Sequence, residues 1–439
     1  MQFDLVLNGF RSFGERQVIP IRPITILLGE NSSGKSSILA ALQYLIDWIG
    51  GFREPSFKRS PFDLGDKSNI AHFRGGQSGR RSEFEIGMVF EATTGRRKKR
   101  PIVDGKYAIS LTFYRDSEGM LPDKIFISRN EQSVELFASD RGELNIKLND
   151  ELIEMPEQAR ARGVPFFFFA VSGKRLRDIE YFLGVERKSI SKNSDDSRVK
   201  VFNVIDSFFA SAAELAVTRV AASGPVRSRP LRTYDSNYAS IDDPSGQSMF
   251  RMANIWRRNE TQRDTIKHYF IEYAKDAGLF RDINVKNLGK SASDLFQIQV
   301  NASGRPMNIV DVGYGVSQIL PILYFLSHPN SRSIYMLQQP EVHLHPRAQA
   351  ALGTLISKTA SEYNYIIIET HSDYIVDRIR YNVREGAVLH DSVALNFCSI
   401  KRFSTNVSRI GISSKGAIID PPDEYREFFL EESIRMLGV

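Results

Sequence analysis

Apolar and polar positions change rhythm along this chain in a way that predicts alternating strands and helices. Phe3–Leu7 alternates as a half-buried strand. Ile24-Thr25-Ile26-Leu27-Leu28 is a short, partly β-branched apolar run, the pattern of a buried strand. Beyond it, Ile38, Leu42, Leu45 and Ile49 recur at helical spacing with Leu39 and Ile46 beside them. From Gly50 to about Arg80 the pattern is loop-like. Glu83–Glu91 and Tyr107–Tyr114 then read as strands, and further strand-like segments continue to about Leu152. The run 163–171 (GVPFFFFAV) is expected to be core, 172–215 polar and then helical, 188–198 a surface loop and 248–277 helical. Ile319, Leu320, Ile322, Leu323 and Leu326 mark another helix. Pro321 is best tolerated in a first turn, which predicts a helix start near Ser317. Ser333–Leu337, Tyr365–Ile368 and Val393–Ile400 read as strands, and Asp423–Leu437 as a terminal helix.

Between the strand ending at Leu28 and the helix containing Ile38 lies Gly29-Glu30-Asn31-Ser32-Ser33-Gly34-Lys35-Ser36-Ser37. It matches G-x-x-x-x-G-K-[ST] at every position. Gly29 and Gly34 allow backbone angles at which successive N–H groups, including those of Asn31, Ser32, Ser33 and Ser37, wrap a polyphosphate. Lys35 reaches the β/γ-phosphates as a point charge, and the Ser36 hydroxyl is placed to ligate Mg²⁺. The plain alternative is a serine-rich turn. Strand, glycine loop and helix N-terminus in succession favour a nucleoside-triphosphate site, with ATP and Mg²⁺ as cofactors.

Composition narrows the class without changing that reading. The 439 residues can bury a large core divided into two or three lobes, and 42% hydrophobic with 25% charged residues is ordinary for a globular chain. No run of 18 apolar residues occurs and Met1-Gln2-Phe3-Asp4 lacks a signal-peptide pattern, so no membrane role and a cytoplasmic location are expected. The single cysteine, Cys398, excludes an internal disulfide. A net charge of +6 permits nucleic-acid binding without demanding it. The basic run Arg96–Arg100 at a hairpin tip is either a phosphate grip or a solvated loop.

The opening strand, the Asn8-Gly9-Phe10-Arg11-Ser12-Phe13 turn and ITILLGENSSGKSSILAAL resemble the start of the RecF/SMC/OLD-like branch of ABC-type ATPases. That resemblance puts Arg11 or Phe13 near the nucleotide, or makes them part of an ordinary packed turn. Asp311-Val312-Gly313-Tyr314-Gly315-Val316-Ser317-Gln318 resembles the ABC signature loop, which implies that Gly315 and Ser317 meet the γ-phosphate held by an opposite subunit. Pro340-Glu341-Val342-His343-Leu344-His345-Pro346 is similar to the family's PE-x-HLHP segment. There His343 and His345 belong to a dimer-contacting turn rather than a metal site. Glu369-Thr370-His371-Ser372 resembles the switch segment, with His371 sensing the γ-phosphate. Gly224–Arg232 (GPVRSRPLR) also has family parallels, as a phosphate or DNA contact or a salt-bridged junction.

One departure stands out. The resemblance implies an acid at 338 to bind Mg²⁺ through water and often a base at 339, but both residues are amides, Gln338 and Gln339. An amide can orient water but cannot accept its proton. Either an acid has been replaced to trap ATP or the protein is a naturally impaired hydrolase, with Glu341 the remaining local acid.

The expectation is therefore an α/β protein. It would have an ABC-type P-loop ATPase head with a mixed sheet, an N-terminal antiparallel β lobe (1–155), a mainly helical insertion (156–300) and a C-terminal ATPase lobe (301–439). The resemblance implies a homodimer or higher homo-oligomer that closes on ATP and gates a partner effector, a nuclease, in bacterial anti-phage defence. It points to the PtuA/AriA-like type without a Toprim domain, because too little chain follows His371 for one. The alternatives are a RecF-like repair ATPase that binds DNA, or a non-catalytic nucleotide-gated scaffold that sequesters a toxic partner.

Overall fold

A computed structural model describes residues 2–50, 55–74, 79–92, 104–139, 143–154, 179–180, 183–185, 195–213, 219–225, 227, 229–234, 249, 252–253, 255–257, 259–289, 295–302, 304–327 and 332–425. The basic run 95–100, the apolar run 163–171, most of the 188–198 stretch and the terminal helix beyond Tyr425 lie outside the described residues. Along the chain come β1 (Phe3–Asn8), β2 (Gln17–Ile21), β3 (Ile24–Gly29) and α1 (Lys35–Gly50). The short β4 (Lys58–Arg59), β5 (Phe62–Asp63) and α2 (Lys67–Ile70) precede a run of strands. These are β6 (Glu83–Ala92), β7 (Gly105–Tyr114), β8 (Lys124–Arg129), β9 (Gln132–Ala138), β10 (Leu144–Leu148) and β11 (Glu151–Ile153). After α3 (Ser197–Ser211) come β12 (Arg219–Ser223), α4 (Glu260–Ala277), β13 (Asp282–Asn287), β14 (Phe296–Asn301) and β15 (Pro306–Asn308). The last third holds α5 (Tyr314–Leu326), β16 (Ser333–Gln338), α6 (Pro346–Thr359), β17 (Asn364–Glu369) and α7 (Asp373–Arg384). It closes with β18 (Val393–Lys401), β19 (Ser404–Ile412) and β20 (Ile418–Ile419).

The chain forms two compact units, and neither is contiguous in sequence. One comprises 1–21, 31–218 and 398–408; the other 22–30, 219–397 and 409–439. The expected boundaries at 155 and 300 do not coincide with this division. Among the described residues of the middle stretch, α3 and α4 are helical and β12, β13 and β14 are strands. Long-range strand pairing, rather than position along the chain, sets the units.

The first unit is built on an eight-stranded antiparallel sheet in the order β11-β10-β9-β8-β7-β6-β1-β2. Its strands alternate in burial as the sequence alternates in polarity: in β7, Tyr107, Ile109, Leu111 and Phe113 face inward. Helix α1 is buried nearly all round, so its apolar positions exceed a single stripe. Tyr44 from α1 stacks on Phe57 at 4.2 Å between ring centroids, Phe84 stacks on Phe113 at 4.8 Å, and Phe57 meets Phe113 edge-on at 5.5 Å.

The second unit centres on a mixed seven-stranded sheet in the order β12-β16-β17-β3-β18-β19-β20; β18 and β19 contribute residues to both units. Strands β12, β16, β17 and β3 run parallel, whereas β19 and β20 are antiparallel. Both β16 and β17 are buried at every position, which explains why they read as continuous apolar runs. Their core contacts include Ile319, Leu320, Leu323, Leu352, Ile356, Ile375 and Ile379 from helices α5, α6 and α7.

Helix α5 begins at Tyr314, three residues before the expected start, with Gly313 as its N-cap. Pro321 therefore sits inside the helix rather than in its first turn. An interior proline removes one backbone bond and costs about 3 kcal/mol, and burial of Ile319, Leu320, Ile322, Leu323 and Leu326 offsets it.

Phe113→Ala should lower stability by about 3–5 kcal/mol, read from urea denaturation followed by circular dichroism. A loss below about 1 kcal/mol would show that the aromatic cluster does not hold the first unit together.

Candidate functional site

The phosphate-loop sequence adopts the geometry its residues require. Gly29 has φ +130°, Ser32 +65° and Gly34 +94°, so the backbone turns three times through conformations that most side chains resist. Gly34 is also sterically required. A Cβ there would lie 2.5 Å from Ser12 Oγ, 2.9 Å from Thr405 Oγ1 and 3.1 Å from Phe13 Cζ. The loop is held from beneath, since the Thr405 hydroxyl donates to Ser33 O at 3.1 Å and Thr405 N donates to Ser12 O at 2.7 Å. The first backbone bond of α1 runs from Ile38 N to Gly34 O, so the amides of residues 35–37 form the helix's anion-attracting first turn. Lys35 is buried with Nζ 3.5 Å from Ser33 Oγ, Ser36 is exposed and Ser37 buried. Asn31 and Ser32 are exposed and Ser33 buried. A buried lysine, an exposed hydroxyl and a left-handed glycine packed from below fit a polyphosphate with its Mg²⁺.

Phe13 is fully buried under the loop, so its part is packing. Arg11 has φ +53°. Its N–H donates to Ile70 O at 2.7 Å, its carbonyl lies 2.8 Å from His72 Nδ1, and its side chain is exposed. Partial burial, and secondarily Arg80, lower its pKa from the ordinary arginine range.

In the second unit, the carboxyl ends of the parallel strands gather the remaining candidates. Gln338 ends β16 and Glu369 ends β17, opposite each other in register. Gln338 Nε2 donates to Glu369 Oε2 at 3.1 Å within the protein interior. Gln339 turns the chain at φ +42°, and its N–H donates to Glu369 O at 2.7 Å. Glu341 is buried, 9% exposed, and its Oε1 accepts from His371 N at 2.8 Å. Burial raises the Glu341 carboxyl from the usual range, while bonds from the His371 backbone and the Thr370 hydroxyl and the charge of Arg227 pull it back.

Arg227, one of three arginines in the 224–232 segment, is 3% exposed. Its guanidinium donates to Gln339 O at 3.0 Å and Gln338 O at 3.5 Å. Burial lowers its pKa to about 10, with Glu341 the largest opposing influence. Arg227 thus braces the 338–341 turn. Arg232 instead makes an exposed bidentate pair with Asp311, and Arg229 is exposed.

The signature-like segment differs in detail from the expected serine-led start. Ser317 is buried and its hydroxyl donates to Tyr314 O at 2.8 Å, whereas Gly313 and Tyr314 are exposed at the helix start. A Cβ on Gly315 would lie 2.4 Å from His343 O, and the Tyr314 ring meets His343 edge-on at 4.6 Å. His343 and His345 are exposed, and His345 caps α6 by accepting from Ala348 N at 3.4 Å. Among the described residues no group of three or more His, Cys, Asp or Glu is arranged to hold a metal by itself. None of their helices is long and apolar enough to cross a membrane.

Glu369, buried and bonded to Gln338, is a residue to which sequence reasoning gave no part. The available signal was an acid at one strand end and an amide at another, but their pairing needs the register.

Two family profiles match the chain: "AAA domain, putative AbiEii toxin, Type IV TA system" over residues 162–377, and "AAA domain" over residues 4–221. Structural similarity extends to the SMC head domain from Thermotoga maritima, at 13% identity, covering 94% of this chain and 100% of that one with TM-score 0.41. It extends also to the Smc head domain with an extended coiled coil bound to the C-terminal domain of ScpA from Pyrococcus furiosus (14% identity, 99% and 98% covered, TM-score 0.43). A third is the Smc head domain with a coiled coil and joint from Pyrococcus yayanosii (12% identity, 98% and 99% covered, TM-score 0.44). No curated protein matches the sequence. The AAA profiles, with the loop at 29–37, support a P-loop ATPase domain in this chain.

Because its folded form binds a proton more tightly than the unfolded chain, Glu341 costs stability once pH exceeds its unfolded pKa. That cost grows as pH rises from about 4 to the raised folded value and persists above it. Glu341→Gln should remove this decline, read as the thermal midpoint across the same interval. Parallel profiles for the two proteins would mean that the Glu341 charge is fully compensated.

Proposed function

We propose that this chain binds Mg²⁺–ATP on Gly29–Ser37, and that two copies close around the nucleotide to gate a partner effector. The observation that carries the reading is Gly34, a left-handed glycine wedged against Ser12, Thr405 and Phe13 at the start of a buried-lysine helix. Successive backbone N–H groups turned inward at a helix start attract anions, and the G-x-x-x-x-G-K-[ST] sequence makes a polyphosphate the ligand they suit best.

Lys35 and the first turn of α1 bind the β- and γ-phosphates, and the Ser36 hydroxyl faces the metal. Bound Mg²⁺ supplies the positive charge that neutralises the phosphates. The exposed start of α5 at Gly313 and Tyr314 offers N–H groups to the γ-phosphate of the second copy, with buried Ser317 shaping that turn rather than reaching out. His371 is fixed through its backbone to Glu341, which suits a sensor of the γ-phosphate. With Gln339 in place of a base, water is oriented but its proton has no acceptor there, so hydrolysis is slow and the closed state long-lived. Glu341 is the nearest acid in sequence to take that proton.

Slow turnover favours a switch over a motor. The profile described as "putative AbiEii toxin, Type IV TA system" is in keeping with a toxin–antitoxin setting, in which the closed state would restrain or release a toxic partner; a nuclease as that partner, anti-phage defence and a cytoplasmic location rest on the family resemblance alone. Direct DNA binding in the manner of a repair ATPase is the second reading, favoured only by the net charge of +6.

Sedimentation velocity with ATP should show a dimer that ADP does not support and that Lys35→Ala abolishes. Identical sedimentation with and without ATP would overturn the closure. Phosphate release from Gln339→Glu should exceed that of the unaltered chain by about 10-fold or more. Equal rates would favour a non-catalytic scaffold.

A further inference from the structure

The first unit holds two phenylalanines in solvent, Phe403 at 79% exposure and Phe73 at 51%. They flank one contact. Gly14 N donates to Ser404 Oγ at 2.9 Å, and a Cβ on Gly14 would lie 3.0 Å from that hydroxyl and 2.7 Å from His72 Nε2. Phe403 precedes Ser404 and Phe73 follows His72, so the two rings branch from either side of the same junction. The junction is braced within the unit: His72 Nδ1 lies 2.8 Å from Arg11 O, and Thr405 N donates to Ser12 O at 2.7 Å.

Phe403 is held in solvent against its backbone preference. Strands β18 and β19 are joined by Arg402 and Phe403 alone, at φ +48° and +67°. Two-residue hairpin turns with both φ positive ordinarily take Asn-Gly, and an arginine followed by a phenylalanine is strained there. Strain that persists in a turn points to a use for the side chains it presents.

Charge is one-sided around the same junction. Segments 9–16, 72–81 and 400–405 carry seven arginines and lysines against one acid, Glu15, and the next acid, Glu83, opens β6. Arg74 and Arg402 are exposed. Arg80 lies over the Phe73 ring, 5.9 Å from Cζ to the centroid, while its Nη1 donates to the carbonyls of Asn69 and Ala71. Among the described residues no carboxylate forms an ion pair with Arg74, Arg80 or Arg402. Burial, and then the charge of Arg80, lowers the Arg11 pKa, and no acid opposes them.

Cations without acids attract a polyanion. The rings beside them favour a polynucleotide over an acidic peptide, because bases stack on exposed aromatics and arginines reinforce the stack. A duplex keeps its bases stacked inside, so exposed rings suit an unpaired strand. We propose that this face of the first unit binds single-stranded nucleic acid, with bases stacked on Phe73 and Phe403 and phosphates met by Arg74, Arg80 and Arg402. Such binding requires no ATP.

Fluorescence anisotropy of the full chain without nucleotide tests this, using labelled single strands of DNA and RNA about 20 nucleotides long and the matching DNA duplex. A single strand should bind more tightly than the duplex, and less tightly as salt rises. Preference between the DNA and RNA strands names the source, and either supports the proposal. Arg74→Glu combined with Arg402→Glu should weaken binding about 10-fold or more and flatten the salt dependence. Phe403→Asn should weaken it about 5-fold or more while the thermal midpoint holds or rises, because asparagine accepts the left-handed turn. A merely structural Phe403 would move the midpoint alone. Phe73→Ala is the second ring variant and is read by the same affinity criterion. No binding by the unaltered chain, unchanged affinity in both ring variants, or a duplex bound as tightly as the strand would overturn the proposal. Displacement by poly-glutamate as readily as by unlabelled strand would overturn it in favour of an acidic peptide.

Discussion

The parallel register of β16, β17 and β3 decides where the buried polar residues of the second unit sit. Hydrogen bonding between these strands fixes Gln338 opposite Glu369 and Glu369 opposite Leu27, so their carboxyl ends finish together. All three strands are buried throughout, which specifies the pairing strongly and leaves the polar residues only at the ends. Chain continuity then carries β3 straight into the glycine loop. A slip of one residue would turn Gln338 and Glu369 away from each other and break the pair.

Those strand ends are costly to assemble. Arg227, Glu341, Gln338 and Glu369 are all buried, and each polar group must find partners or lose stability. Arg227 meets the carbonyls of Gln338 and Gln339, Glu341 meets the His371 and Thr370 donors, and Glu369 meets the Gln338 amide. The left-handed backbone at Gln339 and the bond from its N–H to Glu369 O belong to the same network. Such a network is stiff, and it presents an acid, an amide and a histidine backbone in fixed relation to one another.

What the sequence disclosed followed from how far each interaction reaches along the chain. The shape of the glycine loop was legible because it lies in consecutive residues and in two glycines at positive φ. The buried strands were legible because burial on both faces leaves unbroken apolar runs. The start of α5 was misplaced because Pro321 argues locally for a first turn, while the apolar residues around it hold it inside the helix. The two units were not legible as segments, since each draws on stretches from both ends of the chain. The part played by Arg227 was left open, because its contact spans 112 positions to Gln339. Glu369 was passed over for a similar reason: its amide partner lies 31 positions away on another strand.

Calorimetric titration of the full chain with ATP, ADP and AMP tests the phosphate cradle most directly. ATP and ADP should bind saturably, one per chain, and AMP should not bind, because the backbone of 29–37 and Lys35 recognise the outer phosphates. Binding of AMP as tight as that of ATP, or no saturable binding of any of the three, would contradict it.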